Sequence, residues 1–442
     1  MDSYFEDGSG FKGQADRVFT PASEAELVEI LRDASREAIP VTTAGARTGL
    51  TGGCVPQGGW LVSLEKFQRL QVSPRCAIAG PGVSLEKLQA EASHAGQFYA
   101  PDPTERTASV GGTIATNASG SRSFRYGSTR KHILALRVAK ADGSVVAVRR
   151  GDKVDFLVPQ IPLPRTAKNT AGYALSPGMD WIDLFAGSEG TLGIVTEAEL
   201  RLLPKPADVL AGVVFFPNDD AALDAVEAWR NVERLRMLEY FDGNSLAFMR
   251  QRDSEIPANA GAALLVEQEQ GDIDFWADNA PEDSWFAETD QDRERFRKFR
   301  HTLPELVNDT VRRRGYMKVN SDYAVPLDRN REMLAHYHSR LREQGFDYVI
   351  FGHIGDAHVH VNILPKSQEE YEAGVRLMLE FARKSVELGG TVSAEHGLGK
   401  RKAHLLELQY TADQIEAMKS VKRRLDPQWL LNRGNLFRAP LP

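Results

Sequence analysis

Apolar residues at helical spacing dominate the first part of the chain. After the capping-box sequence Ser23-Glu-Ala-Glu26, apolar side chains recur every three or four residues and predict a helix; they are Leu27, Ile30, Leu31 and Ala34. Short apolar runs at Ile39–Thr43 and Trp60–Leu64 then predict two strands. The chain therefore begins with alternating helix and strand.

Further elements are predicted up to residue 164. Cys76–Ala79 is typical of a strand and residues 84–95 of a helix. Between Ile133 and Val148, two β-branched runs flank Asp142-Gly143, a dipeptide that strongly indicates a hairpin. Residues 151–164 have the composition of a loop.

The composition changes at Leu203-Pro-Lys-Pro206, where we place a domain boundary. Beyond it, predicted strands alternate with long charged helices: strands at Val209–Phe216, Ala262–Val266 and Tyr316–Pro326, and helices at Asp219–Val232, Gln291–Arg313 and Asp328–Gln344. This alternation predicts an α+β layer with helices covering one face of a mainly antiparallel sheet. We interpret the acidic stretch Asp272–Asp292 as a solvated loop and a helix start.

Length and charge restrict the class of protein. A chain of 442 residues has ample core for two domains, or for one large domain with a cap. The net charge of -7 argues against nucleic acid as the main partner. Two cysteines are too few for an iron–sulfur cluster and favour a reducing compartment. Without a signal-peptide pattern or a membrane-spanning apolar run, we expect a cytoplasmic protein, and peripheral attachment to the inner face of a membrane stays open.

The segment Ala44–Gly53, A-G-A-R-T-G-L-T-G-G, follows a predicted strand and is rich in glycine. Glycine lets the backbone approach a ligand, and consecutive N–H groups form a nest for an anion. Thr48 and Thr51 add hydroxyl donors. Because the loop leads to a strand rather than a helix, it is not the glycine motif of a Rossmann fold. We interpret it as a pyrophosphate site; the alternative is a flexible surface connection.

A second stretch, Pro101–Gly127, consists mostly of small side chains between Ala108 and Ser121. Such residues offer little apolar area to a core, but they allow a segment to lie against a large flat ligand. Gly187–Glu197, G-S-E-G-T-L-G-I-V-T-E, is another glycine-rich turn that leads into a strand.

Three histidines are predicted to share one face of a hairpin. Tyr348–His353 and His358–Leu364 are strand-like runs joined by four residues. A four-residue loop pairs His353 with His358, and strand alternation puts His360 and Asn362 on the same face. Imidazole binds Zn²⁺ and its transition-metal neighbours, so this face predicts a metal site. The alternative is a set of histidines satisfied within the sheet.

The sequence Ser393-Ala-Glu-His-Gly-Leu-Gly399 places a carboxylate beside an imidazole. Glu395 offers an oxygen ligand, and His396 is able to transfer a proton near neutral pH. Two imidazoles with one carboxylate leave a coordination position open, as in catalytic zinc sites. The alternative is a glycine-capped turn with incidental charges.

These motifs resemble the FAD-dependent D-2-hydroxyacid dehydrogenases of the vanillyl-alcohol oxidase superfamily. That group includes D-lactate and D-2-hydroxyglutarate dehydrogenases and the flavoprotein subunit of glycolate oxidase. The resemblance spans nearly the whole chain and lies in the glycine loop, S-V-G-G-T-I-A-T-N-A-S-G, G-S-E-G-T-L-G-I-V-T-E, H-I-G-D-A-H-V-H, A-E-H-G-L-G and L-N-R-G-N. Several spaced motifs in the same order make it specific.

The resemblance implies an α+β fold with a two-lobed FAD-binding domain at residues 1–206. An α+β cap domain with an antiparallel sheet would follow at 207–427, and residues 428–442, including Asn432, would return to the FAD domain. FAD would be bound without a covalent link. The residues implied in binding it are Gly45, Ala46, Arg47, Thr48, Gly49, Leu50, Thr51, Gly52, Pro101, Thr107, Ser109, Gly111, Gly112, Ala115, Thr116, Asn117, Ser119, Glu189, Gly190, Gly193, Ile194, Val195 and Asn435.

The resemblance also implies a substrate and a chemistry. His353, His360 and Glu395 would bind a divalent metal, Zn²⁺ or Mn²⁺, and Asn362 would contact a D-2-hydroxy acid such as D-lactate or D-2-hydroxyglutarate. Because a metal lowers the pKa of a bound hydroxyl, His396 would take its proton while the C2 hydride passes to flavin N5. Electrons would leave to a quinone, an electron-transfer flavoprotein or an iron–sulfur partner.

Arg300 and Lys318 would hold the substrate carboxylate, with a solvated helix charge as the alternative for Arg300.

The sequence departs from the family at three places. Ala357-His358 stands where relatives usually have Gly-Asn, so this histidine either joins the metal or reshapes the pocket. Arg433-Gly-Asn435 replaces Pro-Gly-Lys, and Pro304 stands where some 2-hydroxyglutarate enzymes have a threonine.

Four alternatives stay open at this point. The protein could be an oxidase that returns electrons to O₂, or a flavoprotein subunit of the glycolate-oxidase type. It could also be a non-redox flavoprotein of the same fold, such as an ether-lipid synthase, or an accessory subunit without its own chemistry. The paired Glu395 and His396 argue against the last two.

Overall fold

The computed structural model describes residues 4–287 and 289–438. Within these ranges the strands are β1 (Arg17–Phe19), β2 (Val41–Ala44), β3 (Trp60–Ser63), β4 (Leu70–Ser73), β5 (Cys76–Ala79), β6 (Gln97–Phe98), β7 (Ile133–Ala139), β8 (Val145–Arg149), β9 (Ile194–Arg201), β10 (Leu203–Pro204), β11 (Val209–Phe216), β12 (Leu235–Asp242), β13 (Ala262–Glu269), β14 (Trp285–Phe286), β15 (Val319–Asn320), β16 (Tyr348–Gly352) and β17 (His360–Ile363). The helices are α1 (Glu24–Glu37), α2 (Leu85–His94), α3 (Val110–Ala115), α4 (Ser123–Tyr126), α5 (Trp181–Phe185), α6 (Asp219–Trp229), α7 (Gly243–Met249), α8 (Ile273–Asn279), α9 (Asp290–Arg314), α10 (Asn330–Glu343), α11 (Gln368–Glu387), α12 (Leu406–Gln409) and α13 (Ala412–Leu425).

A small parallel sheet in the order β1-β3-β2 begins the fold, and α1 precedes its strand β2. The predicted helix starts where expected, since the Ser23 side chain accepts from the N–H of Glu26. The second half of the predicted capping box is wrong, because the Glu26 carboxylate accepts from the N–H of Ala22 instead. Leu27 and Leu31 are fully buried, and burial of such a side chain stabilises the fold by about 1.5–3 kcal/mol.

An antiparallel sheet in the order β4-β5-β9-β7-β8 shares a hydrophobic core with α1 and the first sheet. The predicted hairpin between β7 and β8 is confirmed. Asp142 accepts from the N–H of Ser144 at its tip, and Gly143 has φ of 76°, a conformation that favours glycine.

The larger sheet has the order β14-β11-β13-β12-β16-β17-β15, with the neighbours paired antiparallel. The expectation that helices cover one of its faces is wrong. Val213 and Phe215 pack in one core with α7 and α9, whereas Val214 and Phe216 pack in another with α6, α10 and α11. Alternate side chains of β11 are therefore buried on both faces, and the overall class is α+β.

Two predictions beyond residue 206 differ from the structure. Only Val319–Asn320 of the predicted strand Tyr316–Pro326 is extended in a sheet. The acidic stretch at 272–292 ends in the expected helix start, which is that of α9, but the rest is not simply a solvated loop, because it contains α8 and β14. Trp276 of α8 is fully buried and donates its indole N–H to Gln268 at 2.8 Å, so one aromatic anchor outweighs the surrounding charge.

Three long elements, β12, α11 and α13, had not been predicted. All eight residues of β12 are buried, so no alternation marks it as a strand. Helix α11 buries Leu377, Met378 and Phe381 on one face. In the described ranges, no helix has the length and apolar character needed to cross a membrane.

Candidate active site

A cavity of about 510 Å³ lies between the larger sheet and the two sheets that precede it in the chain, β1-β3-β2 and β4-β5-β9-β7-β8. Of the residues implied in FAD binding, those that line it are Gly45, Ala46, Arg47, Thr48, Gly49, Leu50, Thr51, Ser109, Gly111, Gly112, Ala115, Thr116, Ser119, Glu189, Gly190, Gly193, Ile194, Val195 and Asn435. The three glycine-rich or small-residue segments that the sequence singled out thus come together around one space.

The glycine loop, residues 44–53, forms one wall of this cavity and follows β2 directly. Its backbone is held from outside: Ala46 N–H donates to Ser109 Oγ at 3.3 Å, and Gly52 N–H donates to Asp7 at 2.8 Å. A Cβ at Gly45 would lie 2.1 Å from Ser109 Oγ, so this close approach requires glycine.

Four residues implied in FAD binding lie outside the wall of the cavity. Gly52 faces Phe11, which a Cβ would approach to 2.8 Å. The Asn117 side chain accepts from the N–H of Arg130, and Thr107 is exposed and bonded to Glu105. Pro101 is buried nearby without lining the space.

The C-terminal segment closes the glycine-loop end. Asn432 accepts from Thr43 N–H at 2.8 Å and donates to the carbonyl of Glu189 at 3.1 Å, while Asn435 donates to the carbonyl of Gly53 at 3.0 Å. The buried Glu189 carboxylate accepts from the N–H groups of residues 398 and 399. Because burial outweighs these two hydrogen bonds, the pKa of Glu189 is raised to about 7.

The predicted convergence of three histidines is confirmed. Strands β16 and β17 pair Phe351 with His360, which is the register that places His353 opposite His358. The ring centroids of His353, His358 and His360 lie 4.6–5.5 Å apart. We call these three residues and Glu395 the histidine cluster.

Glu395 lies among the three imidazoles. Its Oε1 is 3.2 Å from Nε2 of His353 and 3.2 Å from Nε2 of His360, and its Oε2 is 4.0 Å from Nδ1 of His358. The carboxylate also accepts from Ser119 at 3.0 Å, which joins the cluster to the small-residue wall of the cavity.

Each histidine of the cluster also faces an oxygen with its other ring nitrogen. Nδ1 of His353 lies 2.5 Å from Glu239, Nδ1 of His360 lies 3.3 Å from the carbonyl of residue 321, and Nε2 of His358 lies 3.2 Å from Asp322. Such outer contacts orient a metal-binding imidazole and fix its tautomer. Neither Glu239 nor Asp322 belongs to a sequence motif, so neither was predicted to lie at the site.

Lys168 balances the charge of the cluster. This fully buried ammonium lies 3.2 Å from Glu395 and 3.4 Å from Asp356. Burial alone would raise the pKa of Glu395, but Lys168 and His353 hold it well below its usual value. Lys168 belongs to none of the motifs identified in the sequence.

The cluster favours positive charge at its centre. Burial opposes a proton on His353, but the facing Glu239 and Glu395 raise its pKa to about 9. A divalent cation would satisfy the same carboxylates. Oε1 of Glu395 lies 3.2 Å from an imidazole nitrogen of His353 and of His360, and each imidazole is oriented by an outer partner, so this set fits such an ion.

His396 stacks on His360 at the wall of the cavity, with ring centroids 5.3 Å apart and planes 15° apart. Its backbone N–H donates to Asp322 at 2.9 Å, and its Nδ1 lies 3.4 Å from the same carboxylate. Burial lowers the pKa of His396 despite Asp322 and Glu395, so its neutral form is favoured.

Asn362 and Lys318 line the same end of the cavity, whereas Arg300 does not. Nδ2 of Asn362 is buried and has no hydrogen-bond partner in the described part of the chain. Lys318 donates to Asn308 at 3.2 Å, and burial lowers its pKa. Arg300 pairs with Glu239 at 3.1 Å and so supports His353 from behind.

Comparison with known proteins gives two matches to protein families. Residues 205–436 match the C-terminal domain of FAD linked oxidases, and residues 15–149 match an FAD binding domain. Among curated proteins, a D-lactate dehydrogenase of Archaeoglobus fulgidus is 32% identical over 95% of this chain and 91% of its own length. The glycolate oxidase subunit GlcD of Bacillus subtilis is 30% identical, over 97% of this chain and 90% of its own.

A D-2-hydroxyglutarate dehydrogenase of Xanthomonas citri is also 30% identical, over 95% of this chain and 89% of its own length. Among solved structures, an alkyldihydroxyacetonephosphate synthase superposes with a TM-score of 0.66 at 16% identity. The superposition covers 94% of this chain and 76% of the synthase, and it shows a shared fold.

Proposed function

The chain belongs to the FAD linked oxidases and is an FAD-linked oxidoreductase, and we propose that it oxidises a D-2-hydroxy acid to the 2-oxo acid with the help of a divalent metal. One observation carries the proposal. His360 and Glu395 of the histidine cluster and the neighbouring His396 line the same cavity as the glycine loop. A nest for a pyrophosphate and a site for an activated hydroxyl therefore share one space.

The names of relatives support the substrate class. This chain is about equally similar to three relatives, which are called D-lactate dehydrogenase, D-2-hydroxyglutarate dehydrogenase and glycolate oxidase subunit. Their substrates share a carboxylate next to a hydroxyl-bearing carbon, which is the feature that our proposal uses.

We propose that FAD binds without a covalent link to the residues of the glycine loop, the small-residue segment and residues 189–195. When bound, FAD supplies the acceptor for the C2 hydride. In this proposal residues 1–206 hold the cofactor, residues 207–427 form the cap, and the segment from 428 closes the site. The segregation of the larger sheet to residues 209–363 supports this division.

His353, His360 and Glu395 are proposed to hold the metal. When bound, a divalent metal lowers the pKa of the substrate hydroxyl. Glu239 keeps His353 oriented through its 2.5 Å contact, and Lys168 keeps Glu395 ionised.

His396 is proposed to take the hydroxyl proton. Asp322 beside Nδ1 favours the tautomer that carries a proton there, so Nε2 is left to accept. Nε2 lies 3.7 Å from Glu395 Oε1, next to the position of a hydroxyl bound at the cluster. Lys318 would bind the carboxylate and Nδ2 of Asn362 would donate to the substrate, since each lines the cavity.

Anaerobic mixing with candidate acids tests the proposal. The FAD-loaded protein is mixed with D-lactate, D-2-hydroxyglutarate, glycolate and the L-isomers, before and after treatment with a chelator. We expect one D-acid to bleach the flavin absorbance, the chelator to abolish bleaching, and Zn²⁺ or Mn²⁺ to restore it. Bleaching that ignores the chelator would remove the metal from the proposal, and no bleaching by any acid would overturn the substrate class.

The variant His396→Asn tests the base. We expect the rate of flavin reduction to fall about 10²–10⁴-fold with FAD content unchanged. His404→Asn is the matched control, because His404 is exposed eight residues further along. An unchanged rate in His396→Asn would show that another group takes the proton.

A further inference from the structure

His358 is a fully buried imidazole beside the proposed metal ligands. Its ring centroid lies 4.6 Å from that of His360 and 5.3 Å from that of His353. Within residues 4–287 and 289–438 neither of its ring nitrogens has a hydrogen-bond partner, although Nε2 lies 3.2 Å from Asp322. Because a buried polar atom without a partner is costly, these nitrogens require an explanation.

The surroundings of His358 match those of the two histidines already assigned to the metal. In all three, one ring nitrogen faces an oxygen outside the cluster: Glu239 for His353, the carbonyl of residue 321 for His360, and Asp322 for His358. In all three, the other ring nitrogen points towards Glu395. A carboxylate behind an imidazole is the usual arrangement of a metal-binding histidine.

The distances fit a shared ion. Donor atoms on one Zn²⁺ at about 2.0–2.2 Å lie roughly 3.3–3.6 Å apart in a tetrahedral set and at most about 4.4 Å apart in any set. The contacts of Glu395 with the three histidines are 3.2, 3.2 and 4.0 Å, and the ligand atoms of all four residues lie within 4.8 Å of one another. A small contraction brings four protein atoms around one centre.

We propose that His358 is a fourth protein ligand, so that three imidazoles and Glu395 hold the metal. This inference rests on the metal of the proposed function and extends it. His360 and Glu395 line the cavity, whereas His353 and His358 lie behind them, so the cavity side stays open for the substrate hydroxyl. A set with three nitrogens favours Zn²⁺ over Mn²⁺ and retains the ion between turnovers.

A second donor set, formed by Asp322, His360, Glu395 and His396, overlaps the first. Asp322 is already used by the protein: it accepts from Ser393 Oγ at 2.8 Å and from the N–H of His396 at 2.9 Å. Both bonds use Oδ2, and a shift of Asp322 towards a metal would stretch them. A metal held by the set that contains His358 leaves these two bonds of Asp322 in place.

X-ray absorption at the metal edge of the Zn²⁺-loaded full chain tests the inference, because outer-shell scattering counts the imidazole ligands. We expect three imidazoles in the wild type and two in His358→Asn. Transfer of Zn²⁺ to a chromophoric chelator should be at least ~10-fold faster in this variant. His338→Asn is the matched control, since His338 is also buried and faces Asp219 at 3.3 Å, but lies outside the cluster.

The wild-type spectrum alone decides the inference if the variant does not fold. Two imidazoles in the wild type would overturn the role of His358 and leave the proposed function intact. A wild type that takes up no metal would overturn both. Three imidazoles in a protein whose flavin no 2-hydroxy acid reduces would support the ligand and overturn the proposed substrate class.

Discussion

At the glycine-loop end of the cavity the buried carboxylate of Glu189 meets backbone N–H groups, whereas at the histidine end Glu395 meets Lys168 and imidazoles. Burial raises the pKa of Glu189 to about 7, but the cations hold the pKa of Glu395 well below its usual value. Two glutamates in one cavity thus have opposite charge preferences, because peptide dipoles compensate desolvation less than nearby full charges do.

This difference separates two ways of building a site. One end is made of main chain and small side chains, and its shape depends on where a Cβ would not fit. The other end is made of long ionisable side chains, and its properties depend on which charges face each other. Substitutions that damage one end should therefore leave the other working.

The largest effect is expected from Glu395→Gln, which removes a charge at the histidine end only. Since this carboxylate contacts all three imidazoles, the rate of flavin reduction should fall at least ~10²-fold and metal content should drop. FAD content, measured from the visible absorbance, should stay at the wild-type level. Loss of FAD from this variant would contradict the prediction that the two ends of the cavity work independently. Glu197→Gln on β9 is a control for a glutamate paired at the surface.

Gly45→Ala should damage the glycine-loop end instead. The added Cβ would lie 2.1 Å from Ser109 Oγ, and overpacking of this kind costs about 1–3 kcal/mol. We expect the dissociation constant for FAD to rise ~10–100-fold in a fluorescence titration, with metal content unchanged. Gly374→Ala on α11 is the control, since its Cβ would make ordinary contacts of 3.4 Å or more. Unchanged FAD affinity would contradict the role given to the close contact.

Lys318→Met separates substrate binding from the reaction step at the histidine end of the cavity. A hydrogen bond to a charged group contributes about 1.5–3 kcal/mol, so the KM for the 2-hydroxy acid should rise ~10–100-fold. The value of kcat should change less, because the lysine is proposed to bind the carboxylate and not the reacting carbon. A drop in kcat at constant KM would contradict this assignment, and Lys87→Met on the surface of α2 is the control.

The smallest effect on the reaction is expected from Glu189→Gln, and the property to measure is the free energy of unfolding as a function of pH. The carboxyl ionises near 4.5 when the chain is unfolded and near 7 in the fold, so the wild type loses stability as the pH rises through this interval. The variant lacks this loss. Its stability relative to wild type should increase by about 2–3 kcal/mol between pH 5 and pH 8 in thermal unfolding.

The exposed Glu91→Gln should show no such trend. A parallel pH dependence of wild type and Glu189→Gln would mean that another group is responsible.

Sequence reasoning succeeded where the chemistry is contiguous in the chain. The hairpin register of His353 and His358 follows from a four-residue loop and strand alternation, and the glycine loop needed no distant information. Most residues implied in FAD binding by these segments do line the cavity. Their roles stay predictions until FAD binding is measured.

The supporting charges could not be found in the same way. Glu239 lies in β12, whose eight buried residues include other ionisable groups and therefore show no alternation. Lys168 and Asp322 come from irregular segments far apart in the chain, and only the folded structure brings them to the cluster. Arg300 had been expected at the substrate carboxylate, but spacing could not reveal that Glu239 already pairs with it.

The closure of the glycine-loop end by Asn432 and Asn435 has a consequence for biosynthesis. The bonds that join them to Thr43 and Gly53 span 389 and 382 residues of sequence. At ~5–20 residues per second, a ribosome needs roughly 20–80 s to make that stretch. The glycine-loop end of the cavity is therefore completed only when the last residues of the chain have been made.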